Sequence, residues 1–106
     1  MIKPNVMIDF DKTISPVHGF YASPDVETVD AIKALSIKYN IIIYSCRGNR
    51  EICLESDYVQ LMEYLARYDI PYNSISSSKP LYAALIDDRA YNPEHIGWKR
   101  ILDELL

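Results

Sequence analysis

Cysteine is scarce in this sequence, and long apolar runs are missing. The two cysteines, Cys46 and Cys53, have a spacing that matches neither a CxxC redox pair nor a zinc ligand set. We interpret both as free thiols in a reducing compartment. No apolar stretch approaches the ~18 residues of a membrane-spanning helix, and the run after Lys3 is broken by Asp9 and Asp11, so a signal-peptide core is missing too. These absences predict a soluble cytoplasmic protein without a membrane partner.

An excess of basic residues is also missing, since 11 Lys and Arg stand against 15 Asp and Glu, for a formal net charge of −4. This charge provides no general attraction to nucleic acid or an anionic membrane, although a local basic patch around Arg47 and Arg50 is compatible with it. The 106 residues contain no repeat, low-complexity tract or linker. Their number suits one compact domain and is short for two.

The stretch NVMIDFDKT at 5–13 is where we look first for chemistry. Val6, Met7 and Ile8 form the apolar run of a buried parallel strand, which ends in Asp9 and Asp11. Alternate strand residues share a face, so both carboxylates project to one side if the chain stays extended. They would repel each other unless a cation or proton lies between them, which favours a hard divalent ion such as Mg²⁺. On this segment alone, two acids that merely cap a turn are an equal alternative.

Helical and strand patterns alternate along the rest of the chain. They predict a helix from 25 to about 39, a strand at 41–44 and a helix at 55–67. A short strand at 74–76 and a longer strand at 81–86 follow. A closing helix begins at 92, with Ile96 and Ile101 facing inward. This order favours an α/β fold with a mostly parallel sheet flanked by helices. The last crossover has about five residues where ten or more are normal. Either the short strand is vestigial or the next strand begins late.

Polar residues follow three of these strands, at Asp9 and Asp11, at Ser45, and at Asp87 and Asp88. A parallel sheet brings such strand ends to one edge, where α/β proteins place their sites. Taken alone, Ser45 is most often a turn residue and the later acidic pair a solvated turn. Their combination predicts a site.

Four motifs, in this order, resemble the haloacid dehalogenase (HAD) superfamily of phosphotransferases and phosphatases. They are DFDKT at 9–13 for DxDxT, Ser45 after IIIY for the apolar run with Ser/Thr, Lys79 for the basic motif, and IDD at 86–88 for the acidic motif. Lys12 stands where many members have glycine. The resemblance implies a single Rossmann-like (HAD-like) hydrolase domain over 1–106. With no room for an insertion after the first or third strand, it implies a capless member.

The resemblance further implies a Mg²⁺-dependent phosphatase that hydrolyses phosphomonoesters through an aspartyl phosphate. Asp9 would attack phosphorus, and Asp11 would protonate the leaving group and then deprotonate water. The metal would be held by Asp9, the Asp11 carbonyl and Asp87, with Asp88 helping through a water. Thr13 would brace the loop.

The phosphoryl oxygens would be held by the Ser45 hydroxyl and the Cys46 backbone amide, with Lys79 offsetting their charge. Arg47 would contact substrate phosphate. The short crossover leaves open whether Lys79 reaches Asp9.

The substrate and the type of activity stay open. An uncovered site suits a small phosphomonoester or nucleotide, which the acidic charge favours, or a nucleic-acid or glycan terminal phosphate. In a homo-oligomer a second copy would cover it. Trp98 and the nine tyrosines are interpreted as packing and surface residues rather than base-stacking platforms. The alternatives to an enzyme are a phospho-aspartate signalling or phosphate-binding module without turnover, and an inactive relative used for binding. Asp11 discriminates between enzyme and signalling module, because a stable phospho-acceptor needs no acid/base group.

Overall fold

The computed structural model describes residues 3–45, 55–77, 84–86 and 93–106. The elements in these ranges are β1 Asn5–Asp9, α1 Val26–Lys38, β2 Asn40–Tyr44, α2 Glu55–Arg67, β3 Ser74–Ser76, β4 Ala84–Ile86, α3 Pro93–Ile96 and α4 Trp98–Leu105. The predicted alternation of strands and helices is confirmed. Among the described helices, none has the length and apolar character needed to cross a membrane.

The strands form a four-stranded parallel sheet in the order β3-β2-β1-β4. The central strand β1 therefore has a hydrogen-bonded neighbour on each side. Its last residue, Asp9, pairs with Tyr44 at the end of β2. One residue earlier, Ile8 pairs with Ile86 at the end of β4. Three strands thus end at nearly the same level, and the parallel sheet predicted from the sequence is confirmed.

The strand before the short crossover is itself short, as one of the two explanations predicts. The strand β3 has only three residues, and the described part of β4 is Ala84–Ile86; the predicted strand positions 81–83 lie outside the described residues. The strands β3 and β4 lie on opposite edges of the sheet.

One hydrophobic cluster joins the sheet to the helices. Val6 and Ile8 of β1 belong to the same cluster as inward residues of α1, α2 and α4; the fully buried helix residues are Ile32, Leu35, Leu61, Leu65 and Ile101. Burying each such side chain stabilises the fold by about 1.5–3 kcal/mol. Met7 alternates to the opposite face of β1 and is fully buried as well. Burial of both faces explains the continuous apolar run of this strand.

The closing helix differs from its prediction, because it is broken at Gly97. This residue has φ +81 and ψ 148, a conformation outside the helical region that favours glycine. Its N–H donates to the Pro93 carbonyl at 2.9 Å and ends α3 there. The expectation that Ile96 faces inward is wrong, since the break leaves it 37% exposed, whereas Ile101 is fully buried as predicted.

The helices α1 and α4 are linked by a buried side-chain hydrogen bond, which generates the first prediction. The Trp98 indole N–H donates to Thr28 Oγ1 at 2.9 Å, and each residue is 4% exposed. Thr28→Val should lower the free energy of unfolding by about 1–3 kcal/mol, because it leaves a buried N–H without an acceptor. Denaturant unfolding of Thr28→Val, Trp98→Phe and the double variant measures the coupling, expected near 1 kcal/mol. Additive losses would contradict this bond's contribution.

Candidate active site

Asp9 and Ser45 lie at the carboxyl edge of neighbouring strands. Asp9 is the last residue of β1 and is partly exposed. It pairs with Tyr44 at the end of β2, and Ser45 directly follows Tyr44. The Ser45 backbone N–H donates to the Ser76 carbonyl at 3.0 Å, which ties the end of β2 to the end of β3. Adjacent strands lie about 4.8 Å apart. The structure therefore brings these two predicted site residues to the same edge.

The chain turns sharply just after Asp11. The segment Phe10–Ile14 is a wide turn, closed by the Ser15 N–H donating to the Phe10 carbonyl at 3.0 Å. Asp11 is still extended (φ −66, ψ 128), whereas Lys12 adopts the left-handed conformation (φ 61, ψ 15). Phe10 is fully buried in the core. The extended path assumed for the two aspartates thus reaches Asp11 and ends at Lys12.

The Asp11 carboxylate is oriented by a backbone donor from the following loop. Gly19 N–H donates to Asp11 Oδ1 at 2.6 Å, a charge-assisted hydrogen bond of the strong kind. Gly19 is buried and has φ +92, which only glycine adopts without strain. We call residues 15–22 the flap. The flap places the Gly19 amide where it holds the side chain of Asp11.

Ser15 organises the first half of the flap. Its hydroxyl oxygen lies 2.8 Å from the carbonyl oxygens of both Val17 and Gly19, so that its proton is donated to either one, and it accepts from the Val17 N–H at 3.4 Å. Ser15 is fully buried. These contacts coil residues 15–19 around one hydroxyl group and hold Gly19 in position for Asp11.

Aromatic packing anchors the second half of the flap on α2. Phe20 contacts Phe10 with ring centroids 5.4 Å apart, and Tyr64 of α2 packs edge-on against Phe10 at 5.0 Å. Tyr64 also packs against Tyr68 at 4.8 Å, and its hydroxyl donates to the Ala22 carbonyl at 2.7 Å. Aromatic pairs of this geometry each contribute about 0.5–1.5 kcal/mol beyond their buried area. The flap is therefore held at both ends.

Gly19, Ser15 and Tyr64 are the positioning residues that reasoning from the sequence missed. Gly19 follows DFDKT in the sequence, but nothing in the sequence indicates that its N–H binds Asp11, eight residues earlier. Tyr64 follows Leu61 by three residues on the inward face of α2, which indicates packing and says nothing of the flap.

Thr13 does not brace the turn through a hydrogen bond. It is 8% exposed, and its buried Oγ1 has no hydrogen-bond partner in the structure as described. The predicted support from Thr13 is thus limited to packing within the turn.

The remaining predicted site residues lie outside the described residues: Cys46, Arg47, Lys79, Asp87 and Asp88. The acidic pair follows Ile86 in the sequence, where β4 ends opposite Ile8. Within the described ranges, no three His, Cys, Asp or Glu side chains are grouped so that they could hold a metal ion. The predicted Mg²⁺ set is therefore only partly described.

Comparison with known proteins supports the fold class. No protein-family model and no curated protein sequence matches this chain. A crystal structure of an MCSG target protein from Vibrio cholerae is similar, with a TM-score of 0.59 and 15% identity over 95% of this chain and 98% of that one. At this identity the likeness concerns the fold alone. Together with the sheet, it defines a small α/β domain.

Lys12 generates the second prediction, because an exposed lysine occupies a left-handed position. Lys12→Gly should raise the free energy of unfolding by about 1 kcal/mol, since this conformation costs a residue with a Cβ roughly that much. Lys12→Ala is the matched control, because it removes the charge and keeps the Cβ. Urea unfolding compares them. Equal stability of the two variants would rule out backbone strain at this position.

Tyr64 generates the third prediction. Burial raises the pKa of Tyr64 from 10.0 to about 12, the Ser15 hydroxyl opposes this rise, and Tyr68 and Asp25 add smaller effects in the raising direction. The pKa of Tyr64 is higher in the folded chain than in the unfolded one. The stabilisation contributed by the protonated Tyr64 hydroxyl is therefore complete below about pH 10 and is lost as the pH rises through about 12. The stability difference between wild type and Tyr64→Phe should shrink over this range. Parallel stability profiles would contradict the assignment to Tyr64.

Proposed function

We propose that this chain is a Mg²⁺-dependent phosphohydrolase of the capless, Rossmann-like HAD type, which hydrolyses phosphomonoesters through an aspartyl phosphate on Asp9. One observation carries the proposal. The central parallel strand ends in Asp9, and a second carboxylate, Asp11, is held two residues later by the Gly19 N–H at 2.6 Å. This arrangement supplies a nucleophile and a separately oriented acid/base group at the carboxyl edge of the sheet.

The chemistry balances with these two groups. A carboxylate oxygen of Asp9 attacks phosphorus, the bond from phosphorus to the leaving oxygen breaks, and Asp11 donates a proton to that oxygen. Water then attacks the phosphorus of the acyl phosphate while Asp11 takes its proton. Inorganic phosphate leaves, and the Asp9 carboxylate is regenerated.

The orientation of Asp11 favours turnover over stable phosphorylation. A phospho-acceptor used for signalling needs one carboxylate to carry the phosphoryl group and no second one to activate water. Here the flap, its glycine and the aromatic contacts to α2 all contribute to holding a second carboxylate. An acid/base group has to be held within hydrogen-bond reach of the proton it transfers.

The donor chemistry of the predicted metal ligands fits Mg²⁺. Asp9 and the Asp11 carbonyl offer hard oxygen ligands at one strand end, and Asp87 and Asp88 follow the adjacent strand in the sequence. When bound, the ion would neutralise charge between the nucleophile and the phosphoryl group. The hydroxyl of Ser45, on the other side of β1, would hold a phosphoryl oxygen, with the Cys46 amide, Arg47 and Lys79 as further contacts.

The fourth prediction tests the proposal with an aryl phosphate, assayed with and without Mg²⁺. Wild type should show metal-dependent release of phosphate. Asp9→Asn should abolish this activity, because the nucleophile is lost, and Asp11→Asn should lower it about 10²–10⁴-fold. Asp30→Asn on exposed α1 surface is the matched control and should be unaffected.

Full activity of Asp9→Asn would overturn the covalent mechanism. If wild type instead forms a long-lived acyl phosphate with a small phosphodonor and releases none, the signalling alternative replaces the hydrolase. Mass spectrometry of the intact chain detects this adduct.

A further inference from the structure

Tyr21 is an exposed aromatic residue on an otherwise anchored loop. Its side chain is 94% exposed, more than any other large hydrophobic residue of the described ranges. Its neighbours are held, since Phe20 packs on Phe10 and the Ala22 carbonyl accepts a hydrogen bond from Tyr64. The backbone that carries the ring is therefore fixed, although the ring gains little from burial in the folded chain.

The ring of Tyr21 lies against the glycine that binds the proposed acid/base group. A Cβ added at Gly19 would come within 3.2 Å of Tyr21 Cε2, so the ring edge lies against Gly19. The N–H of the same glycine donates to Asp11 Oδ1 at 2.6 Å. One residue thus separates the exposed ring from the carboxylate that would protonate the leaving group.

A cleft of about 330 Å³ extends from Tyr21 along α2. Its aromatic residues are Phe20, Tyr21 and Tyr64, and its polar residues are Gln60, Glu63 and Arg67. This volume lies within the range of small-molecule sites. Aromatic faces stack on bases, and amide, carboxylate and guanidinium groups can pair with the polar edge of a base. One acid and one base on the rim suit a neutral ring better than a polyanion.

We propose that Tyr21 is a stacking platform for a planar base in the leaving group, so that the substrate class is a mononucleotide. Its place in catalysis rests on the proposed function, whereas its role in binding does not. The acceptor and donor groups of Gln60, Glu63 and Arg67 contact the edge of the base. This assignment replaces the interpretation of Tyr21 as a plain surface residue.

The fifth prediction is tested by calorimetric binding of two probes, adenosine 5′-monophosphate and ribose 5-phosphate. Both carry the same sugar and phosphate, so their difference isolates the base. Wild type should bind the nucleotide about tenfold more tightly (about 1.4 kcal/mol), as expected for base stacking on one ring. Tyr21→Ala should lose this preference without changing ribose 5-phosphate binding, and Tyr21→Phe should keep it. Ile37→Ala, an exposed residue of α1, is the control and should behave as wild type.

The outcomes separate this inference from the proposed hydrolase. A nucleotide preference that depends on Tyr21, without phosphate release, would retain the platform and overturn the hydrolase. Hydrolysis of both probes at equal efficiency, unaffected by Tyr21→Ala, would retain the hydrolase and overturn the platform. Equal binding of both probes, or no binding of the nucleotide, also overturns it.

Discussion

The burial of β1 on both faces is the constraint on which the rest of the structure depends. Val6, Met7 and Ile8 are fully buried, and their strand has a hydrogen-bonded strand on each side. An unpaired carboxylate cannot be buried beside these residues, because its burial costs more free energy than the fold can offset. Asp9 therefore marks the place where the central strand leaves the core. Ser45 reaches the same edge because its strand is in register with β1.

A chain of contacts then connects the core to Asp11. Tyr64 packs against Phe10 and holds the end of the flap, Ser15 coils its beginning, and Gly19 between them donates to the carboxylate. The left-handed conformations of Lys12 and Gly19 lie within this short stretch. Unusual backbone conformations persist where the surroundings determine them, and they often accompany functional sites. Their clustering around one carboxylate supports the role proposed for Asp11.

Part of the site could be predicted because strand ends are visible in the sequence. Asp9 and Ser45 each follow an apolar run, and parallel pairing brings such ends together without further information. The hydrogen bond to Asp11 could not be predicted, since it depends on how a loop with two prolines folds back on itself. Tyr21 illustrates the same limit. The sequence indicates that Tyr21 lies in a loop, but its exposure beside Gly19 follows only from the anchored path of the flap.

The sequence by itself determined the order of elements, the parallel sheet and the bounds of α2 at Glu55–Arg67, because apolar periodicity records which face of each element is buried. Only the tertiary structure decided that the closing helix breaks at Gly97. A glycine within a helical pattern is tolerated or breaks the helix according to packing. Such choices are made by contacts between distant residues, which local patterns do not contain.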